Sequence, residues 1–299
     1  MTRVVTLLPA ATEIVAALGD SSVLVGISHE CDYPADVQHL PRVTTTSIDV
    51  AATSRAIDAE VRACRESGRV VIAVDAEVIR CLNPDVIVTQ ALCEVCAVSD
   101  GEVHRLASIL DRVPRIVTLT AQTVDGIWMD IRAVGRALEM QDKAEELVLG
   151  LQSQLEAIGR SAPSASRARV LCIEWIDPLY LAGHWVPELV AAAGADDVGA
   201  KAGSHSARRS WRELVELRPD YLVVMLCGFG VERARRELER LEDPGALELL
   251  HRVPTWIIDG NAYTSRPGPR VVDGAARIQS ILLDQPLAGI EPWETAGIC

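Results

Sequence analysis

The sequence predicts an α/β protein made of two Rossmann-like lobes with mainly parallel sheets, joined by a single long backbone helix. In both halves of the 299 residues, short apolar runs typical of strands alternate with helical patterns. Several of these runs lead directly into a loop that carries Cys, His or Trp. Ligands of open α/β sheets bind beyond the carboxyl ends of the strands, so this pattern indicates a binding protein.

The chain divides into three segments on this interpretation. The N-terminal lobe covers residues 1–122, a helical connector covers 123–165, and the C-terminal lobe covers 166–299. The connector carries the longest helical stripe, which Gln141 and Asp142 interrupt. We therefore expect a backbone helix at about 142–160, roughly 27 Å long at 1.5 Å per residue.

The first lobe alternates strands with short helices. Gly19 and Gly68 stand where a glycine commonly ends a helix, and Pro84 stops a third helix before Asn83. The predicted strands cover residues 3–8, 23–28, 85–90 and 115–120, and the predicted helices cover residues 11–19, 54–67, 75–82 and 100–110.

The second lobe repeats this alternation. Pro187 is suited to the first turn of a helix, because its missing N–H would have no partner there. The predicted strands cover residues 169–175, 221–226 and 255–260, and the predicted helices cover residues 186–193, 210–217, 231–242 and 269–283.

Charge and hydropathy exclude some partners and favour one location. The formal net charge is −13 and no basic stripe occurs, so nucleic acid is not an expected partner. No run approaches the ~20 apolar residues that a membrane span needs. The apolar run after Arg3 is interrupted by Pro9, Thr12 and Glu13, which makes it a poor export signal. We therefore expect a cytoplasmic protein, with a periplasmic or extracellular location less favoured.

Five motifs resemble one family over essentially the whole chain: SHECDYP (28–34), LCEVCAVS (92–99), AGHWVPE (182–188), CGF (227–229) and DGNAYTSRPGPR (259–270). They resemble the cobalamin-binding-protein-like branch of the periplasmic-binding-protein class for vitamin B12 and iron–siderophore uptake. The resemblance implies two Rossmann-like lobes on one rigid helix, with the ligand held in the cleft between them. It also implies an ABC transporter as partner, provided that the protein is exported.

The candidate ligand-binding residues follow strands or lie in these motifs. Trp175, Trp185 and Phe229 offer apolar walls, and polar side chains offer a rim for a large amide-bearing ligand. Phe229 lies between two glycines and would be costly to leave in water, so we expect it to pack on a ligand or partner. The full set is Pro9, Thr12, His29, Glu30, Cys31, Cys93, Glu94, Cys96, Trp175, His184, Trp185, Cys227, Phe229, Asn261, Tyr263 and Arg266.

The leading hypothesis is a soluble protein that binds a small-molecule ligand, cobalamin or another corrinoid, or a similar tetrapyrrole or metal chelate. The alternative is a Cys/His metal-binding protein or enzyme on the same scaffold, holding zinc or iron. A third interpretation is that the thiols only shape a pocket, and Cys64 and Cys81 are expected to be inert on helix faces. No hydrolase, P-loop or dinucleotide motif occurs, so no catalytic residue is assigned. The possible metal ligands are His29, Cys31, Cys93, Cys96, His184 and Cys227.

Overall fold

The computed structural model describes residues 2–91, 110, 112–162 and 167–293, which form two compact units. Unit 1 comprises residues 1–52, 59–121 and 125–151, and unit 2 comprises 53–58, 122–124 and 152–299. The chain therefore enters unit 2 twice before it reaches the second half of the sequence.

Unit 1 is built on a parallel sheet in the order β2-β1-β5-β6. A separate antiparallel pair joins β3 to β4. The strands are β1 Val4–Thr6, β2 Leu24–Gly26, β3 Thr44–Thr46, β4 Ile72–Val74, β5 Val86–Gln90 and β6 Arg115–Leu119. The helices that lie wholly or partly in this unit are α1 Pro9–Ala17, α2 Ser54–Glu66, α3 Ala76–Leu82, α4 Val124–Ala137 and α5 Gln141–Arg160.

Helices α4 and α5 pack closely at Gly135, because glycine has no side chain. A Cβ added at Gly135 in α4 would lie 2.4 Å from the Cβ of Ala144 in α5. Arg132 and Glu145 form a bidentate ion pair between the same helices, with N–O distances of 2.7 and 3.0 Å. The helix α5 is continuous, and the boundary between the units falls between its residues Leu151 and Gln152.

Unit 2 has a larger sheet in the order β10-β8-β7-β11-β12-β13, and β9 also pairs with β7. The pairs β9–β7, β7–β11 and β11–β12 are parallel, whereas the outer pairs are antiparallel. The strands are β7 Arg169–Ile176, β8 Leu179–Leu181, β9 Asp196–Asp197, β10 Ala207–Arg208, β11 Tyr221–Val224, β12 Thr255–Ile258 and β13 Ile290–Pro292. The helices are α6 Val186–Ala192, α7 Trp211–Glu216, α8 Val231–Glu239, α9 Pro244–Arg252, α10 Gly260–Tyr263 and α11 Val271–Leu282.

The first turn of α2 belongs to unit 2, where a buried carboxylate anchors it. Glu237 in α8 is 5% exposed, and its Oε2 accepts hydrogen bonds from the N–H and the hydroxyl of Ser54, at 2.8 and 2.6 Å. Arg240 pairs with the other carboxylate oxygen at 2.8 Å. A carboxylate at a helix N-terminus is stabilised by the unpaired N–H groups there. Glu237 therefore adds to the local cap, in which Thr53 Oγ1 accepts from the N–H of Ala56 at 3.3 Å.

The predicted fold class is confirmed, including the parallel central strands and the long helix α5, which begins in unit 1 and ends in unit 2. The break near residue 141 is also confirmed, since α4 ends at Ala137 and α5 begins at Gln141. Helix α9, which ends at Arg252, is not among the predicted helices. The predicted helix at 100–110 lies outside the described residues except for Leu110.

Candidate functional site

The predicted ligand-binding residues differ widely in their access to solvent. Two of them, Glu30 and Cys227, are exposed, and the remaining described ones are half-buried or buried. Cys93, Glu94 and Cys96 lie outside the described residues. The half-buried set is Pro9, His29, Trp175, His184, Asn261 and Tyr263, and the buried set is Thr12, Cys31, Trp185, Phe229 and Arg266.

His29 lies in the loop that follows β2, and the hydroxyl of Thr44 in β3 fixes its orientation. Thr44 Oγ1 is 3.0 Å from the backbone nitrogen of His29 and 2.7 Å from its Nδ1, and it donates to Ser28 Oγ at 3.3 Å. A hydroxyl has one proton to donate and two lone pairs. The donor of the bond between Nδ1 of His29 and Thr44 depends on the tautomer of the ring. In the tautomer whose Nδ1 donates to Thr44, the lone pair lies on Nε2.

The environment of His29 keeps its ring neutral. Burial lowers the pKa of the imidazole; Glu30 raises it and Arg42 lowers it further, both to a smaller extent. Nε2 of His29 is buried, and no described residue gives it a hydrogen-bond partner. An unpaired buried acceptor costs about 1–3 kcal/mol, so a ligand group that reached this nitrogen would recover that free energy.

Arg42 holds the loop around His29 in place. Its Nη1 donates to the carbonyl oxygens of Ser28 and Cys31, at 3.0 and 2.6 Å. Cys31 is 1% exposed, and its sulfur lies 3.0 Å from the hydroxyl of Thr12, which is itself fully buried. Thr12 and Cys31 therefore form part of the interior of unit 1 beneath the loop, and neither presents its polar atom to solvent.

The loops after β11 and β12 bring three predicted residues together in unit 2. The N–H of Asn261 donates to the carbonyl of Phe229 at 3.2 Å, and Arg266 Nη2 donates to Asn261 Oδ1 at 2.8 Å. A Cβ at Gly260 would lie 2.3 Å from the carbonyl oxygen of Leu226, so the close approach requires glycine. Tyr263 lies nearby along the chain, with the guanidinium of Arg277 3.4 Å from the centroid of its ring.

The expectation that Phe229 needs a ligand or partner to cover it is wrong. Phe229 is 3% exposed and belongs to the hydrophobic core of unit 2, where its ring meets Trp175 edge-on at 5.2 Å. The guanidinium of Arg233 covers the ring at 3.7 Å. Aromatic and cationic neighbours stabilise such a ring by themselves, so the reason for placing Phe229 at a ligand does not hold.

Trp185 also packs inside unit 2, although it was expected to form a ligand wall. It is 4% exposed, and its indole N–H donates to the carbonyl of Thr264 at 2.9 Å. Trp175 is different, because it is half-buried and its indole N–H is buried with no hydrogen-bond partner among the described residues. Trp175 therefore keeps a polar atom that a ligand could satisfy, whereas Trp185 does not.

His184 follows β8 and lies beside a second imidazole, that of His205. The ring centroids are 5.4 Å apart and the ring planes are nearly perpendicular, at 86°. Burial lowers the pKa of His184, and His205 lowers it further. Its Nε2 is buried without a hydrogen-bond partner among the described residues.

The described residues do not support the six-residue Cys/His cluster. Within these residues, no three side chains of the His, Cys, Asp or Glu types are placed so that they could hold one metal ion. The burial of Cys31 is one reason, since its sulfur is already in contact with Thr12. The predicted roles of Cys93 and Cys96 lie outside the described part of the chain.

Sequence reasoning missed three residues that shape these sites: Thr44, His205 and Ser206. His205 and Ser206 lie in a polar Gly-Ser-His-Ser segment at 203–206, a composition typical of loops that could have drawn attention. Thr44 had no such signal, because a threonine in a Thr-Thr-Thr run is unremarkable for a strand.

Residues 4–246 match the family model described as periplasmic binding protein. An uncharacterized ABC transporter substrate-binding lipoprotein of Bacillus subtilis (strain 168), YvrC, is 22% identical over 283 residues, covering 92% of this chain and 78% of that protein.

Solved structures share the fold at low sequence identity. A periplasmic heme binding protein from Pseudomonas aeruginosa superposes with a TM-score of 0.67 at 21% identity, covering 98% of this chain and 95% of the other. The periplasmic vitamin B12 binding protein BtuF of Vibrio cholerae gives 0.63 at 20% identity, covering 95% and 97%.

These relatives overturn the expected cytoplasmic location. The matching profile describes periplasmic proteins, and the curated relative is a substrate-binding lipoprotein, so the expectation is wrong. The apolar run after Arg3 forms strand β1. Because this run is part of the fold, its poor match to an export signal says nothing about the compartment. Among the described residues, no helix is both long enough and apolar enough to cross a membrane.

Proposed function

Because the chain belongs to the periplasmic binding protein family, we propose that it is a solute-binding protein for a metal-containing tetrapyrrole, with a corrinoid such as cobalamin as the leading ligand. Its partner on this proposal is an ABC transporter, as the description of the Bacillus relative suggests. The names of the structural relatives, which include heme and vitamin B12 binding proteins, support the ligand class. The motifs that resemble the cobalamin-binding branch favour a corrinoid over a haem.

One observation carries the proposal: the buried Nε2 of His29 has no hydrogen-bond partner among the described residues, and burial lowers the pKa of the ring. Histidines that ligate metals usually donate their other ring N–H to an oxygen acceptor, which fixes the tautomer. Thr44, at 2.7 Å from Nδ1, is placed to be that acceptor for His29. Imidazole nitrogen suits both cobalt and iron, the metals of corrinoids and haems. His29 would thus contact the metal of the cargo, and Thr44 would position His29.

The test is a titration of the purified protein with hydroxocobalamin, diaquocobinamide and haemin, followed by visible absorption. We expect at least one of them to bind, with a spectral shift that reports nitrogen ligation of the metal. No spectral change and no heat of binding at high micromolar concentrations of all three would refute the ligand class.

Variants then test the role of His29. We expect His29→Ala to lose the nitrogen-ligation shift, and added imidazole to restore it. Thr44→Val should weaken the shift while Thr44→Ser retains it, because only serine keeps the hydroxyl that fixes the tautomer. His39→Ala, at an exposed histidine of the same unit, is the matched control. An unchanged shift in His29→Ala would exclude His29 as a ligand.

The alternative, a metal site made of six Cys and His residues, is not favoured, because those of the six that the structure describes do not form a cluster. One part of it has a specific observation in its favour, the pairing of His184 with His205. That pair needs neither a tetrapyrrole nor a cysteine.

A further inference from the structure

Two loop segments of unit 2 are pressed together around His184. The N–H of His184 donates to the carbonyl of Ser204 at 2.7 Å, and the N–H of Gly203 donates to the carbonyl of His184 at 2.8 Å. A Cβ at Gly183 would lie 2.4 Å from the oxygen of Ser204. The contact between residues 183–184 and 203–206 is therefore made by backbone and cannot shift freely.

This contact holds His184 in an unusual backbone conformation. Its φ is +54°, in the left-handed region that residues with a side chain seldom adopt. Such a conformation costs of order 1 kcal/mol and persists only where surrounding contacts impose it. Here the two backbone hydrogen bonds impose it, and the imidazole is left beside His205.

The spacing of the two rings matches that of ligands on one metal ion. Two imidazoles bound to a tetrahedral zinc ion, with nitrogens about 2.0 Å from the metal, have ring centroids about 5 Å apart. The observed separation of His184 and His205 is 5.4 Å. Nearly perpendicular ring planes keep the two rings from obstructing each other at a shared ion.

Two buried polar atoms in this region have no partner among the described residues, Nε2 of His184 and Oγ of Ser206. Each costs about 1–3 kcal/mol if it stays unsatisfied. An imidazole nitrogen and a hydroxyl oxygen are both atoms that offer a lone pair to a cation.

We propose that His184, His205 and Ser206 form a binding site for a divalent transition-metal ion of the zinc class. Two nitrogens and one hydroxyl oxygen leave room for water or another small ligand to complete the coordination. The site lies wholly within unit 2 and needs no tetrapyrrole, so it is independent of the proposed function. His205 and Ser206 have no role in that function.

The experiment is a calorimetric titration of metal-free protein with ZnCl₂. We expect one Zn²⁺ per chain. Loss of an outer-shell partner weakens metal binding by about 10–100-fold, so loss of one of two imidazole ligands should weaken it by at least about tenfold. His205→Gln is the test variant, because His205 is exposed and its loss should leave the fold intact. His251→Gln, at an exposed histidine in α9 of the same unit, is the matched control and should bind zinc as the unaltered protein does.

A second measurement identifies the ligands. X-ray absorption of the zinc complex should show two imidazoles per metal in the unaltered protein and one in His205→Gln. No stoichiometric binding at millimolar zinc, equal affinity in His205→Gln, or fewer than two imidazoles in the unaltered protein would each overturn the proposal. Cobinamide and haemin titrations should be the same in His205→Gln, so failure of this site and failure of the tetrapyrrole proposal are separable.

Discussion

A methyl group added at Gly183 would clash with the backbone of residues 204–206. Its added Cβ would meet backbone atoms of Ser204 and Ser206 at 2.4 and 2.7 Å, and neither can rotate away as a side chain would. We expect Gly183→Ala to lower the free energy of unfolding by about 1–3 kcal/mol, as overpacking typically does. It should also weaken zinc binding, because His184 is the next residue.

The control is a glycine with open space around it. A Cβ at Gly150, in the exposed part of α5, would meet nothing within 4 Å. Gly150→Ala should raise the free energy of unfolding by up to about 1 kcal/mol, since alanine is the better helix former. Urea unfolding of both variants checks the pair. Equal effects at the two positions would contradict the steric account of Gly183.

A second prediction at the residue scale concerns the pH dependence of stability through Asp197. Burial raises the pKa of Asp197 from 3.8 to about 6, although the N–H groups of Gly199 and Ala200 bind its Oδ1 and oppose the shift. Between these two pH values the folded chain holds a proton that the unfolded chain has released. The contribution of Asp197 to stability is therefore present below pH 3.8 and is lost as the pH rises through 6.

The variant Asp197→Asn removes this titration. The free energy of unfolding of the variant, minus that of the unaltered protein, should increase by about 1–3 kcal/mol as the pH rises from 4 to 7. Chemical denaturation at several pH values measures the difference. A difference that stays constant over this range would contradict the raised pKa of Asp197.

Candidate site residues could be predicted from the sequence, but the residues that contact them in the folded protein could not. His29 and His184 were found because each lies in a loop that follows a strand. Thr44, which forms a hydrogen bond with the ring of His29, is 15 positions away in the chain and lies in no distinguishing pattern. The burial of Phe229 was missed for a related reason, since Arg233 and Trp175 cover it only after the sheet has assembled.

At the scale of elements, the anchor of α2 gives the sharpest prediction. Glu237→Ala leaves the N–H and hydroxyl of buried Ser54 without their acceptor. We expect the free energy of unfolding to fall by about 2–4 kcal/mol, because two buried donors lose the same charged acceptor. Amide exchange at residues 54–57 should accelerate.

Glu239→Ala is the control for this change, since Glu239 is exposed on the same helix. It should change the free energy of unfolding by no more than about 0.5 kcal/mol. Similar losses in the two variants would indicate that helix α8 is destabilised generally and that Ser54 does not depend on Glu237.

Elements with local signals were predicted well, and elements that depend on distant partners were not. The ends of α2 and α3 follow from Gly68 and Asn83, which adopt the left-handed conformation that ends a helix. The β3–β4 pair could not be foreseen, because its three-residue strands are separated by α2. Helix α9 had a signal that was overlooked: Asp243 accepts from the N–H groups of Gly245 and Ala246, and Pro244 occupies the first turn.

At the scale of the whole molecule, the thiols divide by exposure. Cys31, Cys64 and Cys172 are buried, whereas Cys81 and Cys227 are exposed, and none of these five forms a disulfide. The expectation that Cys81 lies on an apolar, buried helix face is therefore wrong. Burial also raises the pKa of the Cys172 thiol, and Asp197 raises it further, which disfavours its reactive thiolate.

Alkylation of the native protein tests this division. Iodoacetamide should label Cys81 and Cys227 well before the three buried thiols, as peptide mass spectrometry would show. Unfolding in urea should make all five react at similar rates. Early labelling of Cys31 would contradict its placement beneath the loop of His29.

The anchor between Ser54 and Glu237 also sets an order of events during synthesis. The two residues are 183 positions apart in the chain. At about 5–20 residues per second, a ribosome needs roughly 9–37 s to travel from one to the other. During that interval the first turn of α2 lacks its acceptor, and water must solvate the N–H and the hydroxyl of Ser54. A unit assembled from distant segments thus cannot bury this turn until most of the chain has been synthesised.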